Sequence, residues 1–228
     1  MRLTLCLLTW NEITGCQSDV PRLERERFEE VYAIDGGSTD GTVEYLQSQG
    51  VPVYQQDKPG YNNAYLSAFR RCGTDALIMF HPKATVDPKA TLEFRQHLED
   101  GNDLVIASRI IRGGMNEEDI RIFKPRKWFV IGLAVTAGVL WKREGNMIWD
   151  VLHGCRGMRK DLFFAIEPLQ DQLSIDLEMV VRSYRKRLKR IEFPVHETPR
   201  SYGETHFRAF PSGLRVLRYL AQEMRRQA

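Results

Sequence analysis

Cysteine is scarce in this 228-residue chain, and its four thiols lie far apart, at Cys6, Cys16, Cys72 and Cys155. No two have the Cys-x-x-Cys spacing of a zinc site, and four are too few for a disulfide-stabilised scaffold. The chain also lacks an apolar run of about 20 residues, the length that crosses a bilayer as a helix. Its N-terminal apolar run is too short for the core of a signal peptide. These absences favour a protein that folds in a reducing cytoplasm.

The sequence has little net charge, +3, with 43% hydrophobic and 28% charged residues. This balance is typical of a globular domain, and the length fits one domain. The charge is unevenly placed, because Arg182 to Ala228 holds twelve Lys/Arg and four Glu while the remaining residues have a net charge of −5. Such a basic segment suits phosphates, nucleic acid or an anionic membrane surface. Nucleic acid is disfavoured, because no recognition motif or stacking-aromatic pattern accompanies the charge.

Short apolar runs alternate with helical patterns along the first half of the chain. The runs of strand length are 3–8, 31–34, 51–54, 76–80 and 104–107. Helical patterns cover 43–49 and 61–72, and a further helix begins at Asp87-Pro88. Asp87 is favoured as its N-cap over a metal ligand. This alternation predicts an α/β fold, a mostly parallel central sheet flanked by helices, with ligands beyond the carboxyl ends of the strands. Beyond residue 110 we predict an apolar helix over 127–143, a basic helix over 182–191 and a strand over 192–195.

Three loops that follow predicted strands carry the polar residues of interest. They are Thr9-Trp10-Asn11-Glu12, Asp35 to Thr42, and His81 to Pro88. Parallel strands end at one edge of a sheet, so these loops are expected to face one crevice. The glycines of the second loop do not have the G-x-G-x-x-G spacing, which disfavours a dinucleotide site.

These loops resemble those of the family 2 glycosyltransferases of the GT-A type, in particular the dolichol-phosphate mannose synthase-like branch. The resemblance rests on Leu7 to Glu12, Ile34 to Thr42, Ala107-Ser108-Arg109, Asp150 with Gly154-Cys155-Arg156, Asp176-Leu177-Glu178, and Arg200 to His206. It covers nearly the whole chain and implies one glycosyltransferase domain over 1–228, with a nucleotide-sugar-binding half over 1–109 and an acceptor-side half over 110–228. The implied activity is inverting sugar transfer from a nucleotide-diphosphate donor to an acceptor such as a polyprenyl phosphate.

The resemblance also implies which residues contact the donor. These are Thr9, Trp10, Asn11, Glu12, Asp35, Gly37, His81, Pro82, Lys83 and Arg109. Asp35 at a strand end can accept hydrogen bonds from a nucleobase or ribose, although it could instead cap the following helix. For Asp40 capping is the favoured role. Glu12 could meet the nucleoside or be a solvated acid at a helix start.

The sequence departs from the family where a metal motif is expected. Similar transferases carry an Asp-x-Asp-like pair after the third buried strand, and its carboxylates hold Mg²⁺ or Mn²⁺ against the diphosphate. Here the strand ends in His81-Pro82-Lys83. A protonated lysine cannot ligate a cation, but its ammonium can contact the same phosphate oxygens. We therefore predict that Lys83 acts in catalysis and, with His81, partly replaces the metal, while the cofactor itself stays undetermined.

Phosphate contacts and candidate bases are also implied by the resemblance. Arg109, Arg126, Arg200 and His206 occupy the places of phosphate ligands, although each arginine could equally be salt-bridged on the surface. Asp150, Asp176 and Glu178 are the candidate general bases or acceptor-orienting acids. Asp176 could instead cap a helix, and the sequence does not choose among the three. A lipid phosphate acceptor would need no base.

The acceptor is indicated by two basic, apolar segments. Lys127-Trp128 to Trp141-Lys142-Arg143 brackets an apolar helix with tryptophans and cations, as in helices that lie in a membrane interface. A buried core helix, or a helix in an interface between two copies of the chain, would have the same length and composition. In 214–220, arginines three residues apart beside leucines indicate an amphipathic helix on anionic lipid. A cytoplasmic enzyme, peripheral on a membrane, is therefore expected. A soluble transferase acting on a saccharide hydroxyl and a non-catalytic nucleotide-sugar-binding protein are the alternatives.

Overall fold

The computed structural model describes residues 1–120, 123–170, 172–200, 202 and 209–226. Seven strands form one sheet, and each lies in or next to one of the apolar runs or predicted strands, apart from a short one after residue 155. They are β1 Leu3–Thr9, β2 Glu30–Asp35, β3 Val53–Gln55, β4 Ala76–Phe80, β5 Leu104–Ser108, β6 Arg156–Arg159 and β7 Arg190–Pro194. The strand order is β3-β2-β1-β4-β6-β5-β7.

The sheet is parallel with one exception. β1 pairs in parallel with both β2 and β4, and β2 pairs in parallel with β3. β6 runs antiparallel between β4 and β5, while β7 is parallel to β5. The start of β6 therefore lies at the edge where β4 and β5 end. The predicted mostly parallel sheet with flanking helices is confirmed.

Eight α-helices of the described chain cover the two faces of the sheet. They are α1 Ile13–Asp19, α2 Thr42–Ser48, α3 Tyr61–Arg71, α4 Ala90–Glu99, α5 Pro125–Trp141, α6 Lys160–Ala165, α7 Ile175–Arg185 and α8 Ala209–Arg225. Alternate side chains of β1 point to opposite faces, so Leu5 and Leu7 pack with α1, α2 and α4, whereas Cys6 and Leu8 pack with α3, α5, α7 and α8. Both faces of β1 are buried, as its continuous apolar run predicts.

Two predicted helices differ from the structure. α4 begins at Ala90 and not at Pro88, because Asp87 and Pro88 form a turn in which Asp87 Oδ1 accepts a hydrogen bond from Lys89 N. The basic helix predicted over 182–191 is wrong beyond its first turn. α7 ends at Arg185, Arg187 has φ +55°, and Leu188 N donates to Ser183 O. Helices commonly end at a residue in the left-handed backbone conformation, which Arg187 adopts here.

Two helices carry the apolar and basic segments of the second half. α5 buries one face, formed by Val130, Leu133, Ala134, Ala137 and Trp141. α8 buries Val216, Tyr219, Leu220 and Glu223 against the rest of the fold. None of the helices in the described residues is long and apolar enough to cross a membrane.

Candidate active site

The loops after β1 and β2 are hydrogen-bonded to each other. Asn11 N donates to Ser38 Oγ at 2.8 Å, and Thr39 N donates to Asn11 Oδ1 at 2.8 Å. Asn11 has φ +52°, in the left-handed region that asparagine tolerates better than most residues. The two loops thus form one surface beyond the strand ends, as expected from their positions in the sheet.

The carboxylate of Asp35 shapes this pair of loops. Its Oδ2 accepts hydrogen bonds from the backbone N of Gly37 and Ser38 at 2.8 and 2.7 Å. Its Oδ1 accepts from Thr9 Oγ1 at 3.0 Å and from Ser38 Oγ at 2.5 Å. Gly37 has φ +93°, which glycine adopts without steric cost. Contact of Asp35 with a donor nucleoside stays a prediction.

Asp40 has the capping role that its position indicates. Its Oδ1 accepts from the backbone N and the hydroxyl of Thr42 at 3.0 and 2.5 Å, at the start of α2. Its Oδ2 accepts from Ile13 N at 3.0 Å, at the start of α1. Burial opposes ionisation of Asp40, but these hydrogen bonds outweigh it and lower the pKa of the carboxyl. One side chain therefore fixes the beginnings of two helices.

The loop after β4 is anchored on α1. A Cβ atom on Gly15 would lie 2.8 Å from Lys83 Cα and closer still to the carbonyl oxygen of Pro82, so this contact requires glycine. One helical turn further along, the buried carboxylate of Asp19 accepts a hydrogen bond from Ala84 N at 2.8 Å. Ala84 has φ +54°, a strained value for alanine. These contacts fix the backbone on both sides of Lys83.

The two polar side chains of this loop have unusual surroundings. No hydrogen bond or ion pair joins the ammonium of Lys83 to another described residue. Nε2 of His81 is buried and makes no hydrogen bond within the described ranges. Burial, and next the charge of Lys83, hold the pKa of His81 well below its usual 6.5, so the imidazole is neutral at pH 7. A cationic group therefore stands beside a neutral imidazole at the end of β4.

Glu12 is buried, so the alternative of a solvated acid is wrong. Its Oε2 accepts hydrogen bonds from Arg200 Nη2 and, at 3.2 Å, from Tyr202 OH. The chain after β7 thus reaches back across the site to the loop after β1. Arg200, predicted as a phosphate ligand, is ion-paired to Glu12 here. The donor contact of Glu12 and the phosphate contact of Arg200 stay predictions.

Arg109 lies between two carboxylates. Its Nε and Nη2 donate to Asp150 at 2.7 and 2.9 Å, and its Nη1 donates to Glu197 at 2.9 Å. Burial opposes ionisation of Asp150, but Arg109 outweighs it and lowers the pKa of the carboxyl to about 2. A carboxylate with this pKa and two bonded oxygens is a weak base. A phosphate would have to compete with both carboxylates for Arg109, and the predicted roles of Arg109 and Asp150 stay predictions.

Asp176 lies in a cluster of hydroxyl groups. Its Oδ1 is 3.3 Å from Arg156 Nε, 3.4 Å from Tyr65 OH and 3.5 Å from Tyr61 OH. The ring of Tyr61 is centred 6.1 Å from the imidazole of His81. Burial raises the pKa of Asp176, which makes its carboxylate a stronger proton acceptor. Among the three predicted bases, Asp176 is the one whose neighbours extend to the loop after β4.

Glu178 stabilises the structure around α7 through hydrogen bonds. It is fully buried and accepts hydrogen bonds from Asn62 Nδ2 and Leu169 N, both at 2.9 Å, and from Ser174 Oγ. Asn62 Oδ1 in turn accepts from Ser174 N and Ile175 N at 2.9 Å. A side chain of α3 therefore caps α7, and Asp176 does not. A catalytic role for Glu178 stays a prediction.

Replacing Asn62 with alanine should destabilise the protein by about 1–3 kcal/mol, because it removes the cap of α7 and leaves buried groups without partners. The free energy of unfolding in urea measures the effect. Gln47→Ala on the exposed surface of α2 is the matched control, expected within about 0.5 kcal/mol of the parent protein. Equal values for the two variants would contradict the capping role.

The remaining predicted residues are spread around these groups. Arg126 is half exposed and pairs with Glu117 at 3.0 Å, so its phosphate role stays a prediction. Trp10 is 49% exposed, beside the backbone of Gly36. His206 lies outside the described residues. Sequence reasoning missed Gly15, Asp19, Asn62, Tyr61, Tyr65 and Glu197. Only their partners in the fold distinguish them from ordinary helix and loop residues.

Solved structures with the same architecture define the class of fold. Glucosyl-3-phosphoglycerate synthase from Mycobacterium tuberculosis, in complex with Mn²⁺, UDP and glucosyl-3-phosphoglycerate, aligns with a TM-score of 0.70 over 97% of this chain and 79% of that chain, at 15% identity. The same enzyme with Mn²⁺ and UDP-glucose aligns with a TM-score of 0.66. At this identity the likeness shows the fold alone, which is the GT-A glycosyltransferase fold predicted from the sequence.

Sequence comparison then gives the family. Residues 10–165 match the model of glycosyl transferase family 2, and the chain belongs to that family. Among similar curated proteins of Haloferax volcanii, glycosyltransferase AglJ is 25% identical over 87% of this chain and the hexosyltransferase Agl6 of low-salt glycan biosynthesis 27% over 84%. The chain spans only 64% and 45% of their lengths. A dolichyl-phosphate hexose transferase is 26% identical over 94% of this chain and 90% of its own length.

Proposed function

We propose that this chain transfers a hexose from a nucleotide-diphosphate sugar to a polyprenyl phosphate, with inversion, on the cytoplasmic surface of a membrane. Membership of family 2 and the GT-A fold support the donor class. The acceptor class is supported by the similarity to a dolichyl-phosphate hexose transferase along nearly its full length. The observation that carries the proposal is an exposed apolar surface on two adjacent helices.

This surface, the docking face, comprises Trp128, Val135 and Val139 of α5 and Leu214, Leu217 and Met224 of α8. Trp128 is 53% and Val139 73% exposed, and the three residues of α5 lie on one side of the helix, opposite its buried side. The two helices are neighbours, because a Cβ on Gly213 would lie 3.6 Å from Phe129 Cζ. Large apolar side chains exposed on neighbouring helices are typical of an interaction site.

Cations border the docking face. Arg215, Arg218 and Arg225 are exposed on α8, and the exposed Arg226 directly follows it. An apolar strip beside arginines is suited to anionic lipid, since the arginines contact headgroups while the apolar side chains enter the acyl boundary. α5 has a core face and, opposite it, an exposed apolar face, which supports the interfacial alternative. A peripheral position would present a lipid-borne phosphate to the site without any membrane-spanning segment.

The arrangement of acids fits a phosphate nucleophile. In the proposed reaction a phosphate oxygen attacks the anomeric carbon, the bond from that carbon to the diphosphate breaks, and the nucleoside diphosphate leaves with the bonding electrons. No proton has to be removed, so no general base is needed. Asp150 and Glu178 are consistent with this, since both are buried and hydrogen-bonded within the fold.

Asp176 supports a second candidate, transfer to a saccharide hydroxyl. That reaction needs a base to accept the hydroxyl proton, and Asp176 has a raised pKa and lies among tyrosine hydroxyls. The acceptor therefore decides between the two functions.

Incubating the purified chain with uridine and guanosine diphosphate sugars tests the proposal. The acceptors are a polyprenyl phosphate in anionic vesicles and, separately, free mono- and disaccharides. We expect product on the lipid phosphate, with inverted anomeric configuration by NMR. Turnover on a saccharide and none on the lipid would establish the second candidate instead.

Val139→Glu should reduce co-sedimentation with anionic vesicles and lower turnover on the lipid phosphate by about tenfold or more, because burying a carboxylate in an apolar boundary is costly. The melting temperature should not change, since Val139 is 73% exposed. Ser48→Glu adds the same charge on exposed α2 and is the control. Equal vesicle binding by both variants would show that the docking face does not meet lipid.

A further inference from the structure

The structures that share this fold include complexes with Mn²⁺ or Mg²⁺ and UDP or UDP-glucose. Hard divalent cations take oxygen ligands, chiefly carboxylates. The described ranges contain no group of three His, Cys, Asp or Glu side chains that could hold a metal. Beyond β4, the nearest acid in sequence is Asp87, which is exposed and paired with Arg22 at 3.0 Å. The residues present at the end of β4 do not fit a divalent cation.

A lysine stands at this position, on a backbone that is fixed. The packing of Pro82 and Lys83 on Gly15 and the hydrogen bond from Ala84 N to Asp19 hold the loop on α1. Such a loop pays little entropy to place its side chain against a ligand.

The surroundings of Lys83 locate its positive charge. The charge of Lys83 adds to the effect of burial in lowering the pKa of His81. At Cys155, burial raises the pKa of the thiol to about 11, and the charge of Lys83 partly opposes this rise. Cys155 directly precedes β6, whose start lies at the same edge of the sheet as the end of β4. The ammonium is therefore near His81 and Cys155, at the edge of the sheet where β4 ends and β6 begins. No carboxylate of the described residues pairs with it.

We propose that Lys83 takes the place of the divalent cation and neutralises the donor diphosphate directly, while neutral His81 contributes a hydrogen-bonding ring nitrogen. This rests on the proposed function, since it requires that the chain bind a nucleotide-diphosphate sugar. A fixed ammonium stabilises the charge that develops on the leaving diphosphate, which is the main electrostatic demand of the reaction. The nucleotide sugar is then bound and used without a metal ion.

Calorimetry with nucleoside diphosphates and with the matching nucleosides tests this, in EDTA and in Mn²⁺. The parent chain should bind at least one nucleoside diphosphate equally well under both conditions. Lys83→Met should weaken that binding by about ten- to a hundredfold, as expected for loss of a hydrogen bond to a charged group. Nucleoside binding should be unchanged, which separates loss of charge from general disruption. Lys89→Met removes an exposed lysine just beyond the loop and should have no effect.

A double variant, His81→Asp with Lys83→Asp, supplies the carboxylates that a metal requires. We expect it to lose nucleoside diphosphate binding in EDTA and to regain it in Mn²⁺. Lys83→Met remains the decisive variant if this one does not fold. Binding by the parent chain only in Mn²⁺, or full binding by Lys83→Met, would overturn the role of Lys83 and leave the proposed function standing. No nucleotide binding under either condition would overturn both.

Discussion

Replacing Asp150 with alanine should destabilise the protein by about 3–5 kcal/mol, the usual cost of removing one partner from a buried ion pair. Asp150 is fully buried and bonded to Arg109 through two side-chain hydrogen bonds. Its loss leaves the Arg109 guanidinium buried, with Glu197 as the one carboxylate of the described residues still paired with it. Urea denaturation measures the change. Asp161→Ala, which breaks an exposed pair with Arg159, should change stability by less than about 1 kcal/mol.

The same ion pair predicts a dependence on pH. The pKa of Asp150 falls from 3.8 to about 2 in the folded chain, so the carboxylate contributes its full stability above about pH 4. That contribution is lost as the pH falls from about 4 through about 2. Asp150→Asn, which does not titrate, should lose less stability over this range than the parent chain. If Asp150→Asn lost as much stability as the parent chain between about pH 4 and pH 2, the pair with Arg109 would not be the cause of that loss.

Gly15→Ala should have the second large effect, on the site more than on the core. The new methyl group would overlap the carbonyl oxygen of Pro82 and lie 2.8 Å from Lys83 Cα, so the loop after β4 must move. Forcing an extra carbon into a packed contact costs about 1–3 kcal/mol. Since the displaced loop carries Lys83, we expect donor binding to fall further than stability alone would explain.

Gly132→Ala is the matched control for this helical glycine. A Cβ at Gly132 meets nothing within 4 Å, and the residue is exposed on α5. Replacing a helical glycine with alanine typically stabilises by about 0.5–1 kcal/mol. The control should therefore melt at an equal or higher temperature and retain donor binding. Should Gly15→Ala bind donor as well as Gly132→Ala, the contact with α1 would not position the loop.

Much of the fold was predictable because it is encoded locally. The apolar run from Leu3 to Leu8 is buried on both faces of the sheet, and its length and composition alone predict a buried strand. The loop from Asp35 to Thr42 lies where its turn and capping residues place it. The helix predicted over 182–191 failed because a run of basic residues has helical composition, whereas Arg190 is drawn into the fold by the carbonyl oxygens of Asn146 and Leu188.

The residues of the candidate site were predictable by type but not by partner. Arg109, Asp150 and Glu12 were all singled out. That Arg109 pairs with Glu197, 88 residues away, is decided by the sheet order, which brings β5 beside β7. Gly15 and Asp19 carry no local signal, because a glycine in a helix and an acid at a helix end are common. Their structural role is to hold the loop after β4, which packs against Gly15 and is hydrogen-bonded to Asp19.

The antiparallel strand has a consequence for how the chain is made. In the seven-stranded sheet the two neighbours of β5 are β6 and β7, both from beyond residue 155. During synthesis from the N-terminus, β1, β2, β3 and β4 can pair with one another as they emerge, because they are neighbours in the sheet. β5 has no partner yet and keeps both of its edges unpaired. A fragment ending at residue 109 would carry that apolar strand unpaired. The nascent chain is therefore most exposed to aggregation and chaperone capture between the synthesis of β5 and that of β6.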